Sequence, residues 1–191
     1  MTSARSILML FAFSLLLFGC TTAPTPRYYL LDSGFESVVQ KNYKKVSRVR
    51  LPSYLQTGSL VLQIGPQELR VASFHFWAES LEQGFARAFD VAFNEVEIDF
   101  TQAIEDLKIV IDVKRFHGDL DGEVSLVADW KSISNCGSQQ GGFSHTIVQS
   151  ESGYPSLVAA QVNLVELMAK DVKQVLSQNS CREYPALESG A

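Results

Sequence analysis

Three cysteines carry the most reactive side chains of this 191-residue chain, and their positions predict two different kinds of chemistry. A cysteine thiolate can be alkylated by a lipid donor or oxidised to a disulfide, depending on its compartment and its neighbours. Cys20 directly follows the apolar run Ile7–Phe18, whereas Cys136 and Cys181 lie far downstream. Cys20 is therefore predicted to have a different role from the other two thiols.

Residues 1–19 have the pattern of a signal peptide. Arg5 gives the segment a positive start, and the run Ile7–Phe18 follows it. At ~1.5 Å per residue this run falls well short of the ~30 Å hydrocarbon core of a bilayer. We therefore expect a cleaved hydrophobic leader here rather than a membrane span.

The end of this leader, Leu17-Phe18-Gly19-Cys20, resembles the bacterial lipoprotein box. In such a box the thiol receives a diacylglycerol, the chain is cut between Gly19 and Cys20, and the new amino group is acylated. Three acyl chains, at ~0.8 kcal/mol per buried methylene, would hold the protein on a membrane surface. In two alternatives Cys20 stays unmodified, because it ends an ordinary signal sequence or lies buried in a short hydrophobic helix. Beyond the covalent lipid on Cys20, no cofactor is predicted.

The lipidated cysteine and a spacer are predicted to occupy residues 20–26. Thr21–Pro26 is short and polar, and its two prolines favour an extended chain. Thr22 stands where an Asp would favour retention in the inner membrane of a Gram-negative cell. The predicted location is therefore the periplasmic face of the outer membrane.

Cys136 and Cys181 are predicted to form a disulfide. Once Cys20 is lipidated, they are the remaining thiols in an oxidising compartment, where an exposed free thiol is a liability. A bridge that closes a loop of this length contributes very roughly 4 kcal/mol to stability, less any strain. The alternative is two separate buried thiols, since free cysteine is a common core residue.

The composition limits the class of protein and its partners. A net charge of −5 and a pI near 5.2 leave no surplus of Lys and Arg to neutralise phosphates, so nucleic acid is excluded as a partner. A hydrophobic content of 46% argues against a disordered chain. The length suits a single domain, predicted at residues 27–180 and followed by a C-terminal tail at 181–191.

No catalytic and no metal-binding residues are predicted. Ser144 and His145 are neighbours in an alternating strand, which is not the turn of a serine hydrolase. His75, His117 and His145 stand singly on different elements and are expected at the surface or in loops. Asp119–Gly122 predicts a hairpin turn rather than a calcium loop. A basic stretch is expected to face water, with contact to lipid headgroups or an acidic partner as the alternative: Lys41, Lys44, Lys45, Arg48 and Arg50.

The elements that would position these residues follow from the apolar pattern. Strands are predicted at 28–31, 46–51, 60–64, 68–71, 96–100, 107–116, 123–133 and 143–149. Helical spacing predicts one helix from Phe76 to Phe93, capped by Ser73, and a second from about Ser156 to Gln178. Gly141-Gly142 predicts a turn before the last strand. Without a regular βαβ repeat, the pattern predicts a single α+β domain with a largely antiparallel sheet and two amphipathic helices packed on one face.

With these elements placed, the chain resembles the PqiC family of outer-membrane lipoproteins, which are auxiliary components of ABC-type transport. Four segments carry the resemblance by their order and spacing: Tyr28–Leu31, Val49–Leu55, Phe76–Leu81 and Val124–Trp130. Gln56 and Ser80 depart from the Asp and the Pro that the family often has. Pro52, Tyr54, Trp77 and Trp130 match the motif but are predicted to be structural, since Trp is more often core than contact.

The resemblance implies a non-enzymatic role at the outer-membrane end of a lipid transport system. Its partners would be an MCE-domain periplasmic protein and that protein's inner-membrane component, and the system would support envelope integrity. MCE proteins form rings and tubes, so a homo-oligomer, in the form of a ring, is expected. The alternatives are a lipoprotein that regulates a cell-wall synthase and a periplasmic lipoprotein hydrolase. Partner-contact residues are not predicted.

Overall fold

The computed structural model describes residues 24–31, 46–95, 106–135 and 137–178. Within these ranges, seven strands form one sheet and two helices pack against it, which confirms the predicted α+β fold. The elements are β1 (Arg27–Tyr29), β2 (Val46–Arg50), a 3₁₀ turn (Ser53–Leu55), β3 (Ser59–Gly65), β4 (Glu68–Trp77), α1 (Leu81–Glu95), β5 (Lys108–Asp119), β6 (Glu123–Ser134), β7 (Gly137–Val148) and α2 (Tyr154–Gln178).

The sheet is mixed, and its long pairings are antiparallel. Its order is β1-β4-β3-β5-β6-β7, with β2 beside β5. The pairs β3–β4, β5–β6 and β6–β7 are antiparallel, whereas β1–β4, β2–β5 and β3–β5 are short parallel pairs. Because β2 pairs with the start of β5 and β3 with its end, the two strands follow one edge of β5 in succession. The 3₁₀ turn lies between them in the chain.

Both helices pack on one face of the sheet, as predicted, and both run opposite to β5. In α1, the Phe85 ring lies edge-on to Phe116 at 5.4 Å between centroids. Gln161 Nε2 of α2 donates to the Phe116 carbonyl at 3.4 Å. Further along, Lys173 Nζ lies 5.4 Å from the centre of the Phe93 ring, so the helices lie side by side. We call this covered side of the sheet the inner face and the other side the outer face.

The core lies between the inner face and the helices. It is built from apolar residues at alternate positions of the strands and from one stripe of each helix. Its largest fully buried side chains are Phe85, Phe89, Phe93, Phe116, Leu31, Leu60, Ile109, Ile111, Leu126, Leu164, Met168 and Leu176.

The predicted start of the first helix is wrong. Ser73 and Phe76 belong to β4, and α1 begins at Leu81. The N-terminal turn forms at Ser80, whose carbonyl accepts from Gly84 N at 3.0 Å. Trp77 is the buried last residue of β4 and precedes Leu81 by one helical turn, so a strand residue extends the apolar stripe of the helix.

The predicted turn at Gly141-Gly142 is also wrong, because both glycines lie within β7, which begins at Gly137. Gly141 pairs with Trp130 of β6, and a Cβ on Gly141 would lie 2.8 Å from Cζ2 of that indole. The glycine is therefore required by the close approach of a large ring. The predicted strand at 96–100 lies outside the described residues.

Candidate interaction surfaces

A groove with a volume of about 450 Å³ lies on the outer face. It crosses the end of β2, the first half of β5, the second half of β6 and the first half of β7, where alternation directs polar side chains away from the core. It is lined by Arg50, Val110, Asp112, Asp129, Trp130, Lys131, Gln140 and Gly141.

Two carboxylates face each other in this groove. Asp112 and Asp129 are register partners in the β5–β6 pair, and two like charges at opposite positions are destabilising. Lys114 offsets the repulsion between the two carboxylates, because its Nζ lies 2.8 Å from Asp112 Oδ2 and 3.7 Å from Asp129 Oδ2. Its hydrogen bond to Asp112 raises the pKa of Lys114. With Arg50 and Lys131 at its rim, the groove presents both signs of charge and suits a polar partner surface.

The 3₁₀ turn covers another part of the outer face, beside a β-bulge in β5. The register shifts between Val113 and Arg115, so Lys114 is the extra residue, and its carbonyl accepts from Tyr54 Oη at 3.3 Å. The Tyr54 ring packs edge-on to His117 at 5.9 Å, and His117 is only 6% exposed. Burial raises the pKa of Tyr54 and lowers the pKa of His117. This corner is therefore a packed structural feature.

An aromatic cluster joins β1, β4 and the start of α2. Tyr29 Oη lies 2.8 Å from His75 Nδ1, and the His75 ring stacks on Tyr154 at 3.7 Å between centroids. Burial, and then the positive charge of Arg27, lower the pKa of His75. On β1, Tyr28 packs against Phe76 at 5.6 Å. The cluster fixes the short strand β1, and with it the point where the chain enters the domain, to β4.

The residues predicted to be modified lie outside the described part of the chain. Gly19, Cys20, Cys136 and Cys181 all fall there, so the cleavage site, the lipidation and the disulfide stay predictions. Lys41, Lys44 and Lys45 of the basic stretch fall there as well. Its last two residues, Arg48 and Arg50, are exposed on β2, and Arg50 lines the groove.

The three histidines differ in how far they are exposed. His145 is exposed and, as the neighbour of Ser144 in β7, points to the opposite face of the strand. His117 is buried and His75 half-buried, so the prediction that all three lie at the surface or in loops is wrong for His117. It occupies an outer-face position of β5 that the 3₁₀ turn covers.

The predicted hairpin turn and the two structural tryptophans are confirmed by the described structure. Asp119–Gly122 forms the turn between β5 and β6, with Asp119 Oδ1 accepting from Asp121 N at 3.0 Å and Glu123 N at 2.9 Å. Across the described ranges, no group of three or more His, Cys, Asp or Glu could hold a metal ion. Trp77 and Trp130 are buried, at 7% and 3% exposure, as expected of structural anchors. Neither of the helices described is long and apolar enough to cross a membrane.

Comparison with known proteins identifies the family. A model of the ABC-type transport auxiliary lipoprotein component matches residues 29–173. The chain belongs to this family. The match begins in β1 and ends near the end of α2, so it includes the groove, the 3₁₀ turn and the aromatic cluster. It also confirms the resemblance inferred from the sequence, and it associates the chain with a lipoprotein role in transport.

Two solved structures share the fold. One is titled an uncharacterized protein, has a TM-score of 0.66 and 18% identity, and the match covers 81% of this chain and 100% of the other. The second, a Xanthomonas campestris protein of the DUF330 family, has a TM-score of 0.54 and 17% identity, with 70% of this chain and 82% of the other covered. At this identity the likeness concerns the fold alone. A search of curated proteins gives no match.

The sequence predicts the hairpin but not the groove. Counting outward from the turn at Asp119–Gly122 without a bulge places Asp112 opposite Trp130, and only the extra residue Lys114 brings Asp112 opposite Asp129. Nothing in the local sequence marks this bulge.

Proposed function

We propose that this chain is an outer-membrane-anchored periplasmic lipoprotein and a non-catalytic component of an MCE-type system that moves lipids between membranes and supports envelope integrity. The observation that carries the proposal is the family match, which spans nearly the whole described domain. A polar groove with side chains of both charges lies on the described outer face, which supports a role in binding another protein.

The proposed anchor is the lipid on Cys20. Between Cys20 and Arg27, where β1 begins, the extended chain can span at most about 25 Å. Residues 24–26 have no regular structure and are exposed, which suits a spacer. The domain would therefore be held close to the periplasmic surface of the bilayer.

The anchor is tested by replacing Cys20 with Ala. We expect wild-type protein in the outer-membrane fraction, with a mass increased by three acyl chains and an N-terminus at residue 20. The Cys20→Ala variant should lose the lipid and leave the membrane fraction. Wild-type protein that carries no lipid, or a variant that still fractionates with the outer membrane, would contradict the anchor.

The partners are tested by crosslinking in the envelope. We propose that the groove contacts an MCE-domain protein, itself joined to an inner-membrane component, and that the chain acts as a ring-shaped homo-oligomer. Wild-type chain should recover the MCE protein, and the charge reversal Lys131→Glu should reduce recovery by about tenfold. Leu167→Glu on α2, an exposed helix position away from the groove, is the matched control and should leave recovery unchanged.

Three results would contradict the transport proposal. Recovery of a cell-wall synthase in place of an MCE protein would favour the regulator, and hydrolysis of envelope material by the purified chain would favour the enzyme. A monomer by light scattering at all concentrations would exclude the ring.

Deletion of the gene should raise sensitivity to detergents, and complementation by wild type but not by Cys20→Ala should restore resistance.

A further inference from the structure

Exposed apolar side chains gather along β4 and its neighbour β1. They form what we call the apolar strip: Tyr28, Leu69, Val71, Phe74 and Phe76. Tyr28 is 65% exposed, Val71 47%, Phe74 40% and Leu69 39%. Phe76 is half-buried beneath Tyr28.

The strip differs from the other exposed apolar residues of the described chain. Leu120, Ile133, Val148 and Leu167 stand on four different elements, and single exposed apolar residues are normal in soluble domains. The strip instead places four exposed large side chains on two paired strands. A concentration of this kind marks a contact surface.

The position of the strip in the fold identifies what it contacts. β1 pairs with the last residues of β4, so the strip begins two residues after the proposed spacer ends. A chain of at most about 29 Å then joins Cys20 to Tyr28 of the strip. Arg27 and Arg70 are exposed beside it and can meet anionic lipid phosphates, and they outnumber the one acidic residue exposed there, Glu68. Tyr and Phe flanked by Arg are typical of the interface between a bilayer and water.

We propose that the apolar strip rests on the headgroup region of the bilayer that holds the lipid of Cys20. This inference depends on the proposed lipid anchor. The strip adds an orientation to the anchor, because the strip and the anchor together fix two points of the domain on the membrane. With strands about 4.8 Å apart, four steps of the sheet order separate β7 from β4, so β7 lies roughly 20 Å from the strip.

Hydrogen exchange of the acylated full-length mature protein tests the proposal. The protein is reconstituted in vesicles of phosphatidylethanolamine with a minority of phosphatidylglycerol and compared with the unacylated Cys20→Ser chain in buffer. Peptides covering 27–29 and 68–74 should exchange about tenfold more slowly on vesicles. Peptides of β7, at the far edge of the sheet, should exchange equally in both samples.

A charged pair of substitutions gives the second test. Leu69→Glu with Phe74→Glu, both at exposed positions, should abolish the slowing at 27–29 and 68–74 while the acylated protein stays on the vesicles. Val148→Glu, 71% exposed on β7, is the matched control and should leave the slowing intact. Melting curves of the three proteins should coincide within a few degrees, which shows that the strip variant is folded.

The possible failures can be told apart. Acylated, vesicle-bound protein without slowing at the strip would overturn the proposal and leave the anchor standing. Protein that carries no lipid and does not bind vesicles would overturn the anchor itself. Slowing that depends on protein concentration in buffer, without vesicles, would overturn the proposal in favour of a second copy of this chain on the strip.

Discussion

The two faces of one sheet differ sharply within the same strands. Along β5, the inner-face residues Ile109, Ile111 and Val113 are at most 1% exposed, whereas their neighbours Val110 and Asp112 lie at the groove. The backbone is shared, and only the side of the pleat differs. The inner face therefore specifies the fold, and the outer face carries the polar side chains that the core does not constrain.

The same contrast separates the two edges of the sheet. At the β1 edge the exposed residues of β1 and β4 include aromatic and aliphatic side chains together with Arg27, Glu68, Arg70 and Ser73, and at the β7 edge they are mostly Gly, Ser, Gln and Thr. A polar edge strand discourages pairing with other chains. This difference is what makes an orientation on the membrane, with β1 near the bilayer and β7 away from it, physically reasonable.

The largest expected effect tests the role of the inner face. Phe85→Ala removes a fully buried ring that packs against Phe116, so we expect a loss of about 3–5 kcal/mol in the free energy of unfolding. Denaturant unfolding followed by circular dichroism measures this loss. Phe74→Ala, at a 40% exposed position, is the control and should cost less than about 1 kcal/mol. Equal losses would remove the distinction between covered and exposed positions.

The next effect concerns the end of the sheet near which α2 ends. α2 starts near Phe116 and runs opposite to β5 for about 37 Å, so Gln178 lies at the end of the sheet where Asn135 and Gly137 lie. Cys136 follows Asn135 in the chain and Cys181 is three residues beyond Gln178; both lie outside the described residues, so the disulfide stays a prediction. Replacing both cysteines with Ser should cost about 2–4 kcal/mol in the free energy of unfolding.

A test of this disulfide requires that the bonded cysteines are identified and that the stability of the protein is measured. Non-reducing peptide mapping of protein isolated from the periplasm should recover one peptide pair joined through Cys136 and Cys181. The stability of wild type should fall on reduction, while that of the double Ser variant should not change. Two alkylatable thiols in the unreduced protein would refute the disulfide.

A smaller effect tests the close approach between β6 and β7. In Gly141→Ala, the new methyl group would meet the Trp130 ring at 2.8 Å, and the strand or the ring must shift. We expect a loss of about 1–3 kcal/mol and a changed near-UV signal from Trp130. Gly142→Ala is an adjacent control, because its Cβ would lie 3.5 Å from Asp129 Oδ1, an ordinary contact. Indistinguishable unfolding curves for the two variants would show that the indole does not require the glycine.

These residues also show what the sequence could and could not predict. Alternation and helical spacing are local signals, so they correctly predicted most strands, both helices, the hairpin turn at Asp119–Gly122 and the α+β class. Gly141 was interpreted as a turn because its reason, the ring of Trp130, lies on the neighbouring strand. The start of α1 was misplaced because Trp77 continues its stripe from a strand. In both cases a tertiary contact overrides the local pattern.

The surfaces were harder to predict than the elements, for a related reason. The groove depends on the register of three strands and on the bulge at Lys114, and the apolar strip depends on the pairing of β1 with β4. The sequence predicts Tyr28 in a strand and Phe76 at the start of a helix, and nothing local brings them together. Both surfaces are thus combinations of residues that only the sheet topology creates.

The last prediction concerns His117, the one buried histidine among the described residues. Burial lowers its pKa below the usual value near 6.5, so below about pH 6.5 the unfolded chain binds a proton more readily than the folded chain does. The contribution of His117 to the free energy of unfolding is therefore constant above this pH and decreases as the pH falls through it. We expect His117→Gln to flatten this decrease between about pH 7.5 and 5.5, measured by denaturant unfolding at each pH.

His145→Gln, on an exposed position of the same sheet, should leave the pH profile unchanged. Because the pKa of His75 is also lowered, part of the decrease should persist in His117→Gln and disappear in the double variant His75→Gln with His117→Gln. A profile unchanged by His117→Gln would mean that the 3₁₀ turn does not exclude water from this part of the outer face.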